Sequence, residues 1–183
     1  MIRRSRILRP VARGFTLIEL MMVVAIVGVL AILGAVGYRR IINTARSAEP
    51  KQVLGSIRIA QEARKAETGS YASPSSSLTS YCPSNGTTAR KHGWNPACGN
   101  GANTWALLPV KVDGPVYYGY ASVAGLPGVA PTVPTMAVIG WPTTSTSDWF
   151  VAQAQMDINN DGLFARASTS SFSNEIFTEN EGE

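Results

Sequence analysis

Arg13-Gly14-Phe15-Thr16-Leu17-Ile18-Glu19 opens an uncharged apolar run from Leu20 to Tyr38, and the carboxylate at its edge decides how the chain is read. A charged side chain near the bilayer centre costs at least about 3 kcal/mol. A chain that keeps one either buries it against a partner or uses it. Phe15 to Tyr38, about 24 residues at a rise of roughly 1.5 Å each, make a helix of about 36 Å, enough to span a membrane. Just ahead lie five arginines, Arg3, Arg4, Arg6, Arg9 and Arg13, with no acid among them. Such a basic tail stays on the cytoplasmic side, which points the apolar segment outward with Phe15 near the inner face.

The block Arg-Gly-Phe-Thr-Leu-Ile-Glu-Leu-Met-Met-Val-Val-Ala-Ile-Val-Gly, Arg13 to Gly28, resembles the class III signal of type IV prepilins. The resemblance implies that a membrane-embedded prepilin peptidase cuts after Gly14 and methylates Phe15, and that Glu19 is the assembly glutamate. Residues 1–14 would then be a leader, and 15–38 a transmembrane and assembly helix kept by the mature chain. Gly14 removes side-chain bulk beside the scissile peptide, which lets a protease approach the backbone. An ordinary secretory signal is cut after its apolar core, whereas this one would be cut before it. Cleavage exposes an amine at Phe15, and in a staggered neighbour that amine meets Glu19 away from water. Such a pair acts mainly as a register device, since removing one partner strands a buried charge. Many pilins carry a proline late in this helix; here Val36 stands between Gly34 and Gly37. Glycine weakens a helix by roughly 1 kcal/mol relative to alanine, against about 3 for proline, so unwinding is less strongly encoded.

Composition sets bounds. The 183 residues carry a formal net charge of +4, and this length suits an anchor helix plus one modest domain. Without the five leader arginines, eleven basic residues face twelve acids, one net negative charge. The precursor's positive balance is therefore no argument for nucleic acid. Arg90-Lys91 reads as a solvated loop. Cys82 and Cys98 enclose fifteen residues rich in Ser, Asn, Gly and Pro. Outside the cytoplasm a disulfide is the default for them, worth about 3 kcal/mol for a loop of this size. The alternative is a metal site of Cys82, His92 and Cys98, for which no fourth ligand stands at suitable spacing.

From Arg39 to Thr68 the apolar positions Ile42, Ala45, Val53, Ile57 and Ala60 recur at helical steps. Arg46, Lys51, Arg58, Gln61, Arg64 and Lys65 fill much of the opposite side. This predicts an amphipathic continuation over residues 39–69, bent locally at Pro50 and stopped at Gly69. Residues 70–104 read as a long surface loop tacked down by the cysteines and Trp94, and Glu67-Thr68-Gly69-Ser70-Tyr71 resembles the point where many pilins leave the long helix. Within residues 105–177, strands are predicted at Ala106–Val112, Val116–Ser122, Met136–Gly140, Trp149–Asp157 and Leu163–Ala167, with Gly125–Pro134 an irregular connection. Tyr117, Tyr118, Tyr120, Trp105, Trp141 and Trp149 form either a carbohydrate platform or, the blander reading, cover for a small core. The acidic tail, with Glu175, Glu179, Glu181 and Glu183, is predicted to fray beyond Phe177.

Asp157-Ile158-Asn159-Asn160-Asp161-Gly162 has the first half of an EF-hand-like calcium loop, with Asp157, Asn159, Asp161 and the Leu163 carbonyl as ligands. Ser168 stands where a bidentate Glu belongs, so the same residues equally predict a hairpin turn. Apart from that possible calcium, no cofactor is implied. His92 is the lone histidine, in a Gly/Asn-rich loop, and no triad, phosphate loop or open metal site is visible. The chain reads as an enzyme's substrate, not an enzyme.

The expectation is an α+β pilin fold, a long N-terminal helix packed on a small antiparallel sheet. The family resemblance implies a structural subunit of a type IV pilus or related filament. Its partners would be prepilin peptidase, other pilin subunits through the N-terminal helix, and an inner-membrane assembly platform; the membrane is a partner and nucleic acid is not. Major pilin, minor pilin and type II secretion pseudopilin remain open, and a membrane-anchored calcium- or DNA-binding domain is the rival from another class.

Overall fold

Valine, leucine, isoleucine and alanine dominate residues 17–38, and none of them breaks a helix as proline does. In the computed structural model, which describes residues 14–138 and 140–181, the helix continues past the apolar run. One helical run, α1 (Leu17–Thr68), includes Gly34, Val36, Gly37 and Pro50. It ends where Gly69 adopts φ +83° and its N–H bonds the Lys65 carbonyl at 2.9 Å, a left-handed cap that suits glycine. The five leader arginines, Ile139 of the third expected strand and Glu183 of the tail lie outside the described residues.

Contacts divide the chain between Arg39 and Arg40. In the first unit, Leu17–Tyr38 is long and apolar enough to cross a membrane, with a mean hydropathy of 2.7. Every described side chain from Gly14 to Tyr38 is exposed.

In the second unit α1 turns Val53, Leu54, Ile57, Ala60 and Gln61 inward, all buried. They pack on a four-stranded antiparallel sheet of β3 (Gly119–Gly125), β4 (Trp149–Met156), β5 (Ala165–Ser170) and β6 (Ser173–Glu179), in that spatial order. A separate two-stranded ladder, β1 (Gly99–Asn100) with β2 (Asn103–Thr104), sits in the long loop. The architecture is α+β, a long helix with an antiparallel sheet, as expected.

The polar side of the helix is not the solvated face the periodicity predicts. Gln61 is fully buried: its amide nitrogen donates to the Ala72 carbonyl and to Ser122 Oγ, and its oxygen accepts from Ala72 N–H. Arg58 reaches Thr169 and Asn174, and Arg64 reaches the Leu107 carbonyl at 3.0 Å. Long side chains beside the apolar stripe lay their stems over the core and bond at its rim. Near Pro50, Glu49 ties the helix to the sheet: its Oε1 accepts from Tyr117 N–H, Tyr118 N–H and Tyr120 O–H, between 2.9 and 3.1 Å. Burial first, and then the Glu49 carboxylate, push the Tyr118 phenol up to about 12.

Both faces of the sheet are covered, which is why β4 is buried almost throughout instead of alternating. Ala152, Ala154 and Met156 join the helix-side core, while Trp149 and Val151 pack with Leu78, Ala121 and Val123 on the other side, roofed by Tyr81 and Trp141. Trp105, Tyr118, Tyr120 and Trp149 are buried, and Trp94 meets Trp105 and Tyr120 edge-on at 5.1 and 5.9 Å. The aromatics are core cover.

Several expected strand positions are corrected. Ala106–Val112 is no strand: Trp105–Leu107 forms a 3₁₀ turn, and Pro109 has no N–H to give a ladder. Val116 makes only an isolated bridge with His92, and β3 starts three residues later and ends at Gly125. The described part of Met136–Gly140 is irregular. There the buried Gln153 side chain satisfies Thr135 N–H, taking the place of a strand neighbour. β5 begins at Ala165, since Leu163 N–H is spent on Asp161 Oδ1. The tail does not fray beyond Phe177: β6 runs to Glu179, and Glu181 pairs with Lys51 at 2.5 Å.

Candidate functional site

Gly14 and Phe15 lie just ahead of α1, and Glu19 lies in its first turn. Gly14 is exposed, and a Cβ built on it would meet no atom within 4 Å. Among the described residues no neighbour asks for glycine there. Phe15 is 83% exposed.

Glu19 is anchored by its own chain. Its Oε2 accepts from Thr16 N–H at 2.9 Å and Thr16 Oγ1–H at 2.7 Å, and Thr16 Oγ1 accepts in return from Glu19 N–H at 3.3 Å. This is a capping box, in which N-cap Thr and N3 Glu satisfy each other's unpaired backbone donors. The sequence reading missed Thr16, although Thr-x-x-Glu before an apolar run signals the arrangement.

Cys82 and Cys98 form a disulfide with Cα atoms 6.0 Å apart. Both sulfurs are thereby used, which removes the alternative metal site with His92; the His92 backbone pairs with Val116. The bridge closes a loop that crosses the sheet's end, where Cys82 exchanges backbone bonds with Tyr120 and Gly86 O accepts from Asp157 N–H at 2.6 Å.

Asp157, Asn159, Asp161 and Leu163 form the turn between β4 and β5. Asp157 Oδ1 accepts from Asn160 N–H at 2.6 Å and Asp161 N–H at 3.2 Å, and Oδ2 from Gly162 N–H at 3.0 Å. Asn159 and Asp161 bond one another at 2.9 Å. Ser168, the twelfth position of the loop template, stands in β5 opposite Gln153, three residues along the strand from Ala165, which is paired with Met156. That is about 10 Å of strand beyond the turn, so the last ligand position of the template is carried away. Among the described residues no group of three or more His, Cys, Asp and Glu side chains gathers to hold a metal.

The prokaryotic N-terminal methylation motif, the type IV prepilin signature, matches residues 9–35. No curated protein and no solved structure matches the chain. The match spans the Gly14–Phe15 junction, Thr16, Glu19 and most of the apolar helix. The chain therefore carries the type IV prepilin signature on an α+β, pilin-like architecture of long apolar helix and antiparallel sheet.

Proposed function

We propose that the chain is a structural subunit, minor or major, of a type IV pilus or pilus-like filament. It is matured by prepilin peptidase between Gly14 and Phe15 and methylated on Phe15. It waits in the inner membrane as a single-pass protein with its second unit outside the cytoplasm, then packs helix to helix with other pilin subunits on an inner-membrane assembly platform. The observation that carries this reading is the methylation motif fused to an exposed apolar helix that holds one carboxylate. In water such a surface has no stable home; a bilayer first and neighbouring helices later supply one. The role is mechanical and asks for no catalysis.

Mass spectrometry of the mature protein tests the maturation step: the expected N-terminus is N-methylphenylalanine at Phe15. Glu19→Ala tests assembly, with sheared filaments expected to fall at least about tenfold, because a buried amine left unpaired costs about 3–5 kcal/mol. Normal filaments in that variant would overturn the reading. Abundance in sheared filaments separates major from minor subunits, and dependence of enzyme secretion on the chain identifies a type II pseudopilin.

A further inference from the structure

Directly after the apolar run the sequence reads Arg39-Arg40-Ile41-Ile42-Asn43-Thr44-Ala45-Arg46, three arginines and no acid. On the proposed orientation this flank faces outward, against the usual bias of basic residues toward the cytoplasm. The five leader arginines outweigh it in the precursor, and once they are removed it is the basic flank the span keeps. The fold adds further cations from distant parts of the sequence. Arg46 and Lys91 both lie over the Tyr117 ring, 5.0 and 5.1 Å from its centroid, within cation–π range. Lys91 and Lys111, both exposed, line one recess of about 320 Å³ against α1, with Gln52, Ser56 and Asp113 on its walls. Among the described residues the ion pairs are Lys51–Glu181 and Arg166–Glu179, so none of the three cations has a carboxylate within 4.0 Å. Glu49 also lines the recess, but its oxygens already accept from Tyr117, Tyr118 and Tyr120.

We propose that Arg46, Lys91 and Lys111, gathered around Tyr117, form a docking face for anionic phospholipid headgroups, which holds the second unit on the bilayer before assembly. This rests on the membrane-anchored reading and deepens it by naming a second attachment besides the apolar helix. Charge and reach carry the inference. Three cations against two carboxylates, Glu49 and Asp113, leave one net positive charge around the recess, and a phosphodiester headgroup brings one negative charge. Arg46 follows Tyr38 by eight residues, at most about 28 Å even if fully extended, so the anchor keeps this face near the headgroups. A tethered face meets its ligand at high effective concentration, whereas a free anion has to be captured from dilute solution. Tyr117 suits the same place, since amphipathic rings favour the level of the headgroups.

The test places the full-length chain in nanodiscs of phosphatidylcholine, alone or with about one third phosphatidylglycerol. Lysine acetylation by an uncharged reagent is then followed by mass spectrometry. Lys91 and Lys111 are expected to label about fivefold more slowly in the anionic discs, the worth of one basic residue at an anionic surface. Lys65, nineteen residues beyond Arg46 on α1, is the internal reference and keeps its rate. High salt restores labelling, because exposed charges are then screened. Arg46→Gln is expected to remove most of the protection at Lys91 and Lys111 while leaving the melting temperature unchanged. Equal labelling in both discs overturns the proposal and spares the anchored reading. Equal protection by millimolar inorganic phosphate in the neutral discs overturns it in favour of a free-anion site. A chain that enters neither disc overturns the anchored reading and this proposal with it.

Discussion

Four glycines of the first unit and three of the second have opposite surroundings. At Gly14, Gly28, Gly34 and Gly37 an added Cβ would meet nothing within 4 Å. At Gly86 and Gly119 it would come within 2.1 Å of the Gln155 and Ser84 carbonyl oxygens, and at Gly125 within 2.3 Å of the Trp149 ring. At these three glycines of the second unit the small residue is demanded by atoms of the same chain: the loop through Ser84 and Gly86 lies directly on β3 and β4, and Trp149 lies over Gly125. In the first unit no internal contact asks for them, although each glycine inside a helix costs about 1 kcal/mol relative to alanine. On the proposed function, those glycines answer to what the helix surface would touch in a membrane or a filament.

The sharpest way to break that comparison is to remove the same atoms from both units. Ile57 is fully buried between α1 and the sheet, and Ile32 is 67% exposed. Ile57→Ala is expected to destabilise the second unit by about 2–5 kcal/mol, the range for emptying a packed site. Ile32→Ala should leave its denaturation midpoint within error and act only on filament yield. Urea unfolding of both variants in detergent checks this; equal losses of stability would show that the apolar segment is folded against the second unit after all. Next in size is the disulfide. Cys82→Ser with Cys98→Ser should cost about 3 kcal/mol by freeing the unfolded loop, seen as a lower urea midpoint with Phe15 processing unchanged.

The same contrast explains what was legible in the sequence. Gly14, Phe15 and Glu19 stand out because their surroundings are simple: one apolar helix, one charge, one junction. The amphipathic stretch was legible in its apolar half, Val53, Ile57 and Ala60, but Gln61 was placed on the wrong face because its burial depends on Ala72 and Ser122, distant in sequence. Strand positions failed where the fold spends backbone donors on side chains, as Gln153 does for Thr135, whereas β4 was legible, expected at Trp149–Asp157 and found at Trp149–Met156. β6 (Ser173–Glu179) is not among the expected strands, because Glu175 and Glu179 look like a solvated tail; on an edge strand alternate charges are a common protection against unwanted pairing. Thr16 is legible too, as the first residue of a Thr-x-x-Glu capping box ahead of an apolar run.

The turn after β4 offers a smaller test within the second unit. Asp157 is buried and accepts three backbone N–H bonds. Asp157→Ala leaves those donors unpaired and is expected to cost about 2 kcal/mol, measured by the urea midpoint. Millimolar calcium is expected to leave the melting temperature unchanged, because the template's twelfth residue, Ser168, stands in β5 away from the turn. A rise of several degrees would restore the cation reading of Asp157, Asn159 and Asp161.

The smallest expected effect concerns the end of the described chain. Lys51 and Glu181 pair at 2.5 Å with side chains 47% and 43% exposed. The hydrogen bond from Lys51 is the main cause that holds the Glu181 carboxyl below the usual 4.5, partly opposed by burial. A carboxylate whose value is lowered in the folded state adds stability above its unfolded value and loses it as pH falls through the folded one. Glu181→Gln should therefore lower the melting temperature by about 1–2 °C at pH 7, no more than an exposed, solvent-screened pair is worth. The gap to wild type should narrow as pH drops below about 4.5, and also in high salt, where exposed charges are screened. A gap that persisted under both conditions would mean that β6 and the residues after it are held to α1 by something other than this pair. Arg58 to Asn174 would then be the contact to break next.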